Sequence, residues 1–308
     1  MLNAMDFKAV AEKKVSAEGW AYLYSAAGDE FSYAENEDAF SRIALVPRVL
    51  VDVSKVDCSS SVLGRHFDVP FYMTAVAMAK LYNVDGEKCV ARGIGKTKEA
   101  GIDMAYMIPT LASCGNGEFY GGLKDKADAR GRRMDVFLKG IHSRKWLKYR
   151  AYWNACGLAV DAVRAYGERN QLGIRGIVVS NHGARQVDTV KSGVQMLYEC
   201  TRALKKAGWR GRIDPEFSVF VDGGVRRGTD IIKCIALGAS AVGIGRPFMT
   251  AMAAFGEAGM VRLAALLKEE ILVNMRLLGC RSLEELSEEF LDARAMEQPP
   301  PGKVRARY

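Results

Sequence analysis

The sequence predicts an α/β fold built on a parallel sheet. Three observations carry this. Apolar runs of strand length alternate with segments of helical spacing along most of the chain. No repeat of fixed period points to a solenoid. No Pro-, Gly- or Ser-rich linker divides the 308 residues, so a single domain spanning 1–308 is expected.

The elements follow in order. Residues 1–50 read as a helical segment that turns irregular. "VPFYMTAVAM" is a buried strand with Pro70 at its start, where a missing N–H does least harm. "DGEKCVARGIGKTKEAGI" has helical spacing, and "DMAYMIPTLAS" is a second strand. The Gly- and charge-rich run from Cys114 to Asp135 shows no strand, "VFLKGI" is a short one, and 143–172 reads as helix. "IRGIVVS", "FSVFVDGG" and "SAVGIG" are further strands. "TDIIKCIALGA" is an amphipathic helix with Thr229 as its N-cap. "MVRLAALLKEEILVNMRLLG" is a long helix ending at Gly279 in the C′ position. Ser282 and Glu285 fit a capping box. A loose tail is expected over 291–308, with Pro299 to Pro301 in it.

Composition narrows the function. The chain is 49% apolar and 26% charged, ample for a core. Its formal charge of +8 is spread out and interleaved with acids, as in "LKDKADARGRR". That disfavours a nucleic-acid surface and favours attraction of an anionic substrate or cofactor. No run of 18 apolar residues predicts a membrane span. "MLNAMDFKAVAEKKVSAEGW" mixes acids with lysines and reads as a surface helix, not a signal peptide; a cytoplasmic location is expected. Seven cysteines without a CxxC pair read as reduced core thiols, with no metal site.

Parallel α/β folds carry their chemistry at the C-terminal ends of strands. "DGGVRRG" sets Gly223, Gly224 and Gly228 around Arg226 and Arg227, just before a helix. Gly245 and Arg246 end the next strand. Glycines let backbone N–H groups approach an anion, and a helix start with arginines stabilises its charge. A phosphate site is one reading; two tight βα turns with solvated arginines are the other. Agreement of the two arms favours phosphate. "SNHGAR" places His182 and Arg185 at another strand end. They are a base near neutral pH with a two-pronged carboxylate clamp, or a satisfied core histidine beside a surface arginine. Lys139, at the end of "VFL", reads alone as a solvated loop lysine.

"SNHGARQVD", "VFVDGGVRRGTDIIKCIALGASAVGIGRPF" and "MRLLGCRSLEEL" together resemble the FMN-dependent α-hydroxy acid dehydrogenases and oxidases. "WAYLYSAAGDE", "ENEDAFSRI", "PRVLVDVSKVD", "VPFYMTAVAMAKL" and "MIPTLASC" match in the same order, most like fungal members. The resemblance implies a TIM (β/α)8-type barrel holding FMN at its C-terminal face, and oxidation of a small L-2-hydroxy acid to the 2-oxo acid. It implies His182 as the base and Arg185 with Tyr22 as carboxylate binders. It places Lys139 at the flavin N1–O2 edge, Ala75, Val76 and Ala77 beside N5, and Ser113 against the ring. Asp222 would bond the ribityl chain, and Gly224, Arg226, Gly245 and Arg246 would hold the phosphate. Oxygen or an electron carrier would be the acceptor, and a tetramer the assembly.

One interval departs from that pattern. Ser113 to Lys139 is too short for the third and fourth βα units, each normally about 30 residues. Lys139 to His182 is longer than one unit needs, with "RKWLKYRAYWNACGL" looking inserted. An incomplete or irregular barrel with about six recognisable strands is therefore expected. So is a competing reading, a catalytically weak or inactive FMN-binding paralogue.

Overall fold

The computed structural model describes residues 1–107, 109, 163 and 166–297. Five strands form one parallel sheet: β1 (Phe71–Met73), β2 (Ala105–Tyr106), β3 (Gly176–Val179), β4 (Ser218–Asp222) and β5 (Ala241–Ile244). Their order is β2-β1-β5-β4-β3. The first strand pairs with the last: Phe71 lies opposite Val242, and Met73 opposite Ile244. An open sheet needs no such pairing; a barrel requires it. "VFLKGI" and most of the helix expected over 143–172 lie outside the described residues.

The strands are apolar almost throughout because both faces are covered. Alternate residues serve different layers. Tyr72, Ala105, Phe220 and Ala241 turn into one inner cluster, joined by Val178. The Tyr72 and Phe220 rings meet edge to face at 6.0 Å. Val62 and Phe67, from the antiparallel hairpin Ser60–Val62/Arg65–Phe67, pack into the same cluster. Phe71, Met73, Ile177, Val179, Val219, Val221, Val242 and Ile244 belong to the larger cluster shared with the helices.

Seven helices surround this sheet among the described residues, besides the single turn Arg169–Leu172. They are α1 (Asp6–Glu12), α2 (Ala17–Tyr24), α3 (Phe31–Ser41), α4 (Glu87–Glu99), α5 (Gly193–Lys206), α6 (Gly228–Ala236) and α7 (Arg246–Leu277). The expectation that 1–50 is helical and then irregular matches α1 to α3. α7 is long and apolar enough to cross a bilayer, but α1, α4 and α6 pack along it and bury 56% of its most apolar window.

Several boundaries differ from expectation. The last helix begins at Arg246, well before Met260, and breaks at Phe255 and Gly256 (φ 59°, ψ −141°). α6 begins at Gly228, so Thr229 is inside it and is not the N-cap. Acids satisfy that helix start instead. Asp230 accepts from the N–H groups of Arg226 and Arg227, both at 2.9 Å, and Glu270 of α7 accepts from Gly228 N–H at 2.6 Å. Ser282 and Glu285 do not form a capping box, because Glu285 turns to the backbone and guanidinium of Arg281. A capping box does form at Ser192 and Gln195, opening α5. Gly279 takes the left-handed C′ conformation as expected (φ 67°), and Cys280 N–H closes the motif on Met275 O at 2.9 Å. The tail is not loose from 291. Leu291–Asp292 pairs with Ala44–Leu45, Met296 is buried, and Glu297 accepts from the Tyr198 hydroxyl at 2.9 Å. The five described cysteines, Cys58, Cys89, Cys200, Cys234 and Cys280, are buried thiols.

The α7 break gives a direct test. A Cβ on Gly256 would meet nothing within 4 Å, so any penalty is purely that of the backbone. Gly256→Ala should cost about 1–3 kcal/mol in urea unfolding. Gly95→Ala, on the exposed face of α4 with equally open space, should gain about 0.5–1 kcal/mol.

Candidate active site

Closure of β1 on β5 brings three loops together. Beyond β1, Thr74 N–H continues the ladder to Ile244 O at 3.1 Å. Its hydroxyl donates to Asp222 Oδ2, at the end of β4, at 2.9 Å. A Cβ on Gly245 would sit 3.2 Å from Thr74 Cγ2 and 3.4 Å from Val76 Cγ2. The half-buried run Ala75, Val76, Ala77 therefore lies against the start of α7, with Asp222 beside it.

The His182 loop is held in an unusual shape. His182, Gly183 and Ala184 have φ of 58°, 61° and 64°, three consecutive left-handed residues, two of them not glycine. Each non-glycine costs of order 1 kcal/mol or more, so the surroundings must impose the turn. Asn181 does so. Its Oδ1 accepts from Ala184 N–H (3.1 Å) and from Asn36 Nδ2 (3.1 Å). Its Nδ2 donates to Asn36 Oδ1 (2.8 Å) and Lys191 O (3.2 Å). Both asparagines are buried. Asn36 Oδ1 also accepts from Gly193 N–H at the start of α5 (3.2 Å). The Asn36 backbone comes so close to Gly224 (φ 80°) that a Cβ there would lie 1.8 Å from Asn36 O. His182 itself is exposed at the tip.

Arg185 and Tyr22, both expected to bind the carboxylate, are in contact. The guanidinium lies 4.4 Å above the Tyr22 ring, and Nη1 donates to Tyr22 O (2.6 Å) and Ser25 O (3.0 Å). Its Nε and Nη2 donate to no described residue, leaving one edge of the fork for a planar anion. Arg246 is occupied from all three nitrogens: Nε to Leu23 O (2.9 Å), Nη1 to Gly183 O (3.1 Å) and Nη2 to Ser25 O (3.1 Å). It also stacks on Tyr33 at 4.6 Å. Burial lowers its pKa to about 10, leaving it charged at neutral pH. Both arginines thus secure the carbonyl end of α2.

The predicted phosphate residues occupy the same face but face different groups. Arg226 pairs with Glu37 at 2.7 Å and donates to its own neighbour Val225 O. α7 has Gly245 as its N-cap residue with no side-chain cap, and Gly224 and Gly245 allow the close approach of Asn36 and of Thr74 with Val76. The uncapped start of α7 and the charge of Arg246 fit a phosphate, whereas Arg226 and the α6 start are engaged by Glu37, Asp230 and Glu270. Ser113 and Lys139 lie outside the described residues.

Sequence reasoning missed Asn36, Asn181 and Asp188. Asp188, last in "SNHGARQVD", accepts from Asp29, Phe31 and Ser32 N–H at 2.9, 3.3 and 2.8 Å, capping α3 from a distant segment. Partial burial pushes its pKa up, but these N–H groups and that of Thr189 outweigh it and hold it below the ordinary 3.8.

The FMN-dependent dehydrogenase family matches residues 11–119 and 159–293, and the chain belongs to that family, whose cofactor is FMN. It is 33% identical over 365 positions to an L-lactate dehydrogenase (cytochrome) of Wickerhamomyces anomalus, covering 96% of this chain and 62% of the relative. It is 30% identical to the glycolate oxidase of Spinacia oleracea, covering 94% and 95%. The chain spans about three-fifths of the length of the L-lactate dehydrogenase (cytochrome) relatives. The recombinant flavin-binding domain of baker's yeast flavocytochrome b2 superposes with a TM-score of 0.79 at 32% identity, covering 99% of this chain and 90% of that domain. Mandelate oxidase with (S)-2-phenylpropionate gives 0.74 at 28%, covering 95% and 98%. The fold is thus a TIM-type barrel. The 365 aligned positions exceed the 308 residues of this chain, so the relative carries positions that this chain lacks. The stretch between the two matched parts contains Lys139.

Two outcomes follow. Asn36→Ala strands the Asn181 amide and should cost about 1–3 kcal/mol, with faster hydrogen exchange at the Ala184 N–H. Asp188→Ala should cost about 1 kcal/mol at neutral pH, as loss of an N-cap does. Because the folded pKa is depressed, that contribution is present above about pH 3.8 and lost as pH falls through the folded value. Wild type and variant should therefore converge in Tm under acid.

Proposed function

We propose that this protein oxidises an L-2-hydroxy acid to its 2-oxo acid, using FMN. What supports this is the Arg185 guanidinium stacked on Tyr22 with one edge of its fork open, three residues after His182, in a chain of an FMN-dependent family. Bound FMN would supply an acceptor for the substrate's electron pair and for one of the two hydrogens lost. Arg185 grips the carboxylate through Nε and Nη2, and the Tyr22 hydroxyl donates to it. His182 takes one proton from the substrate and is exposed enough to return it to solvent. Ala75 to Ala77 and Asp222 border the ring and ribityl positions, while Gly224, Arg226, Gly245 and Arg246 border the phosphate. Ser113 and Lys139 complete the set by resemblance. Oxygen or an electron carrier takes the electrons onward. Similarity to an L-lactate dehydrogenase (cytochrome) and to glycolate oxidases supports both.

A second reading has its own support. The family match is interrupted over 120–158, and the relatives carry positions this chain lacks. A weak or inactive FMN-binding paralogue follows if those positions complete the site.

The test is the visible spectrum of the FMN-reconstituted protein before and after anaerobic glycolate, L-lactate and L-mandelate. Bleaching supports the oxidising enzyme; bound flavin that stays oxidised supports the paralogue; failure to bind flavin refutes both. If bleaching occurs, His182→Gln should slow it by roughly 100-fold or more with flavin still bound. Arg185→Lys should raise KM more than it lowers kcat, because the fork is lost while charge remains.

A further inference from the structure

Asn36 lies in the middle of α3, far along the chain from every strand end that carries chemistry, yet its buried amide is where two loops of the site meet the start of α5. One loop is the His182 turn, which follows β3. The other is Gly223–Gly224, which follows Asp222 at the end of β4. Asn36 and Asn181 exchange two amide hydrogen bonds, at 3.1 and 2.8 Å. A Cβ on Gly223 would sit 3.3 Å from Asn36 Oδ1 and 3.4 Å from Asn181 Oδ1, so the pair packs against that loop. Asn36 Oδ1 also accepts from Gly193 N–H, and a Cβ on Gly193 would sit 2.1 Å from Asp222 O. The third contact of Asn36 is thus to a residue pressed on the same end of β4.

The His182 turn is held on two sides. Its carbonyls are held from other segments: Gly183 O accepts from Arg246 Nη1 at 3.1 Å, and Ala184 O from Ala27 N–H at 2.9 Å. Its N–H groups are held from within. His182 N–H donates to Ser180 Oγ at 3.0 Å, and Ala184 N–H to Asn181, at its backbone O (3.0 Å) and its Oδ1 (3.1 Å). Asn181 is the internal clamp, and a rotatable amide clamps only while its own orientation is fixed. Asn36 fixes it from 145 positions away. We propose that Asn36 is a positioning residue for the base. Through Asn181 it maintains the left-handed turn that carries His182, and by packing on Gly223 and Gly224 it sets that turn relative to the loop after Asp222. This role presupposes the reading above that His182 is the base. Arg185 keeps separate anchors in Tyr22 O and Ser25 O, so rate and carboxylate binding should part company when the amide pair is broken. Proton transfer suffers from misplacements of about 1 Å that a guanidinium gripping a carboxylate absorbs.

The experiment is anaerobic stopped-flow reduction of the FMN-reconstituted protein by glycolate, L-lactate and L-mandelate. Oxalate, an unreactive carboxylate, is titrated calorimetrically into the same samples, and hydrogen exchange is followed at the Ala184 N–H. Wild type is compared with Asn36→Ala, Asn181→Ala, the double variant, His182→Gln and Gly256→Ala, which lowers stability at a place outside the site. At saturating substrate, Asn36→Ala and Asn181→Ala should each lower the limiting rate roughly tenfold or more, and the double variant no further than either. Gly256→Ala should keep the wild-type rate. Oxalate affinity should stay within about twofold throughout the asparagine variants, while Ala184 N–H exchange rises in them alone. A limiting rate in Asn36→Ala equal to that of Gly256→Ala, with His182→Gln slowed, overturns the positioning role and leaves the base reading standing. Losses that multiply in the double variant overturn it too, because Asn36 then acts other than through Asn181. So does a parallel loss of oxalate affinity, which marks a site collapsed as a whole. Should Asn36→Ala fail to fold or to bind FMN, Asn36→Asp replaces it, keeping the acceptor for Gly193 and Asn181 Nδ2 and removing the donor to Asn181 Oδ1. Slow reduction of its bound flavin supports the role; loss of fold or flavin in both variants overturns it. Wild-type rates in His182→Gln, or a wild type that none of the three acids reduces, overturn the base reading and this role with it.

Discussion

The structure depends on one strand pairing, that of Phe71–Met73 with Ala241–Ile244. It joins the first strand of the sheet to the last, and only long-range parallel hydrogen bonds can do this. Such pairings are entropically expensive, since nearly the whole intervening chain must be ordered before they repay it. The repayment is a layered apolar interior on both sides of β1: Tyr72 inward against Phe220, Phe71 and Met73 outward against the helices. The ladder continues one residue further at Thr74, where structural pairing turns into chemistry. The same residue that bonds Ile244 O also fixes Asp222.

The second layer of dependence is electrostatic. Arg185 and Arg246 both bond the carbonyls at the end of α2, so two positive charges are held close together by backbone dipoles. Burial lowers the proton affinity of Arg246, and its neighbours Arg226 and Arg185 lower it further. A site of this kind is under like-charge tension that an anion relieves. That local tension is set by the two guanidinium groups themselves, whatever the overall excess of basic residues.

Much of this was legible in the sequence for local reasons. Strand alternation and the C′ Gly279 act within a few residues of where they are read. What was not legible depends on distant partners. Asn36 and Asn181 are 145 positions apart, and Asn36 in "ENEDAFSRI" looks like any polar residue on a helix. Thr229 looked like an N-cap, but Asp230 and Glu270 had already satisfied the helix start. Glu285 had a stronger partner in Arg281 than in Ser282. The break at Gly256 hides inside an apolar pattern that keeps helical spacing on both sides. Arg246 shows the limit in the other direction. Its position at a strand end was foreseen, yet a helix starts there, and the carbonyls of Leu23, Gly183 and Ser25 are what it grips.

The contribution of α2 to the site also bears on biogenesis. Tyr22, Leu23 and Ser25 leave the ribosome well before Arg246, which follows Ser25 by 221 positions. During that interval the C-terminal carbonyls of a short helix and the Tyr22 ring lack the guanidinium that anchors them. The N-terminal segment must wait, solvated or held by a chaperone, until the last strand docks. Assembly of the site is thus a late, post-translational event, and segments that expose it meanwhile are open to aggregation and proteolysis.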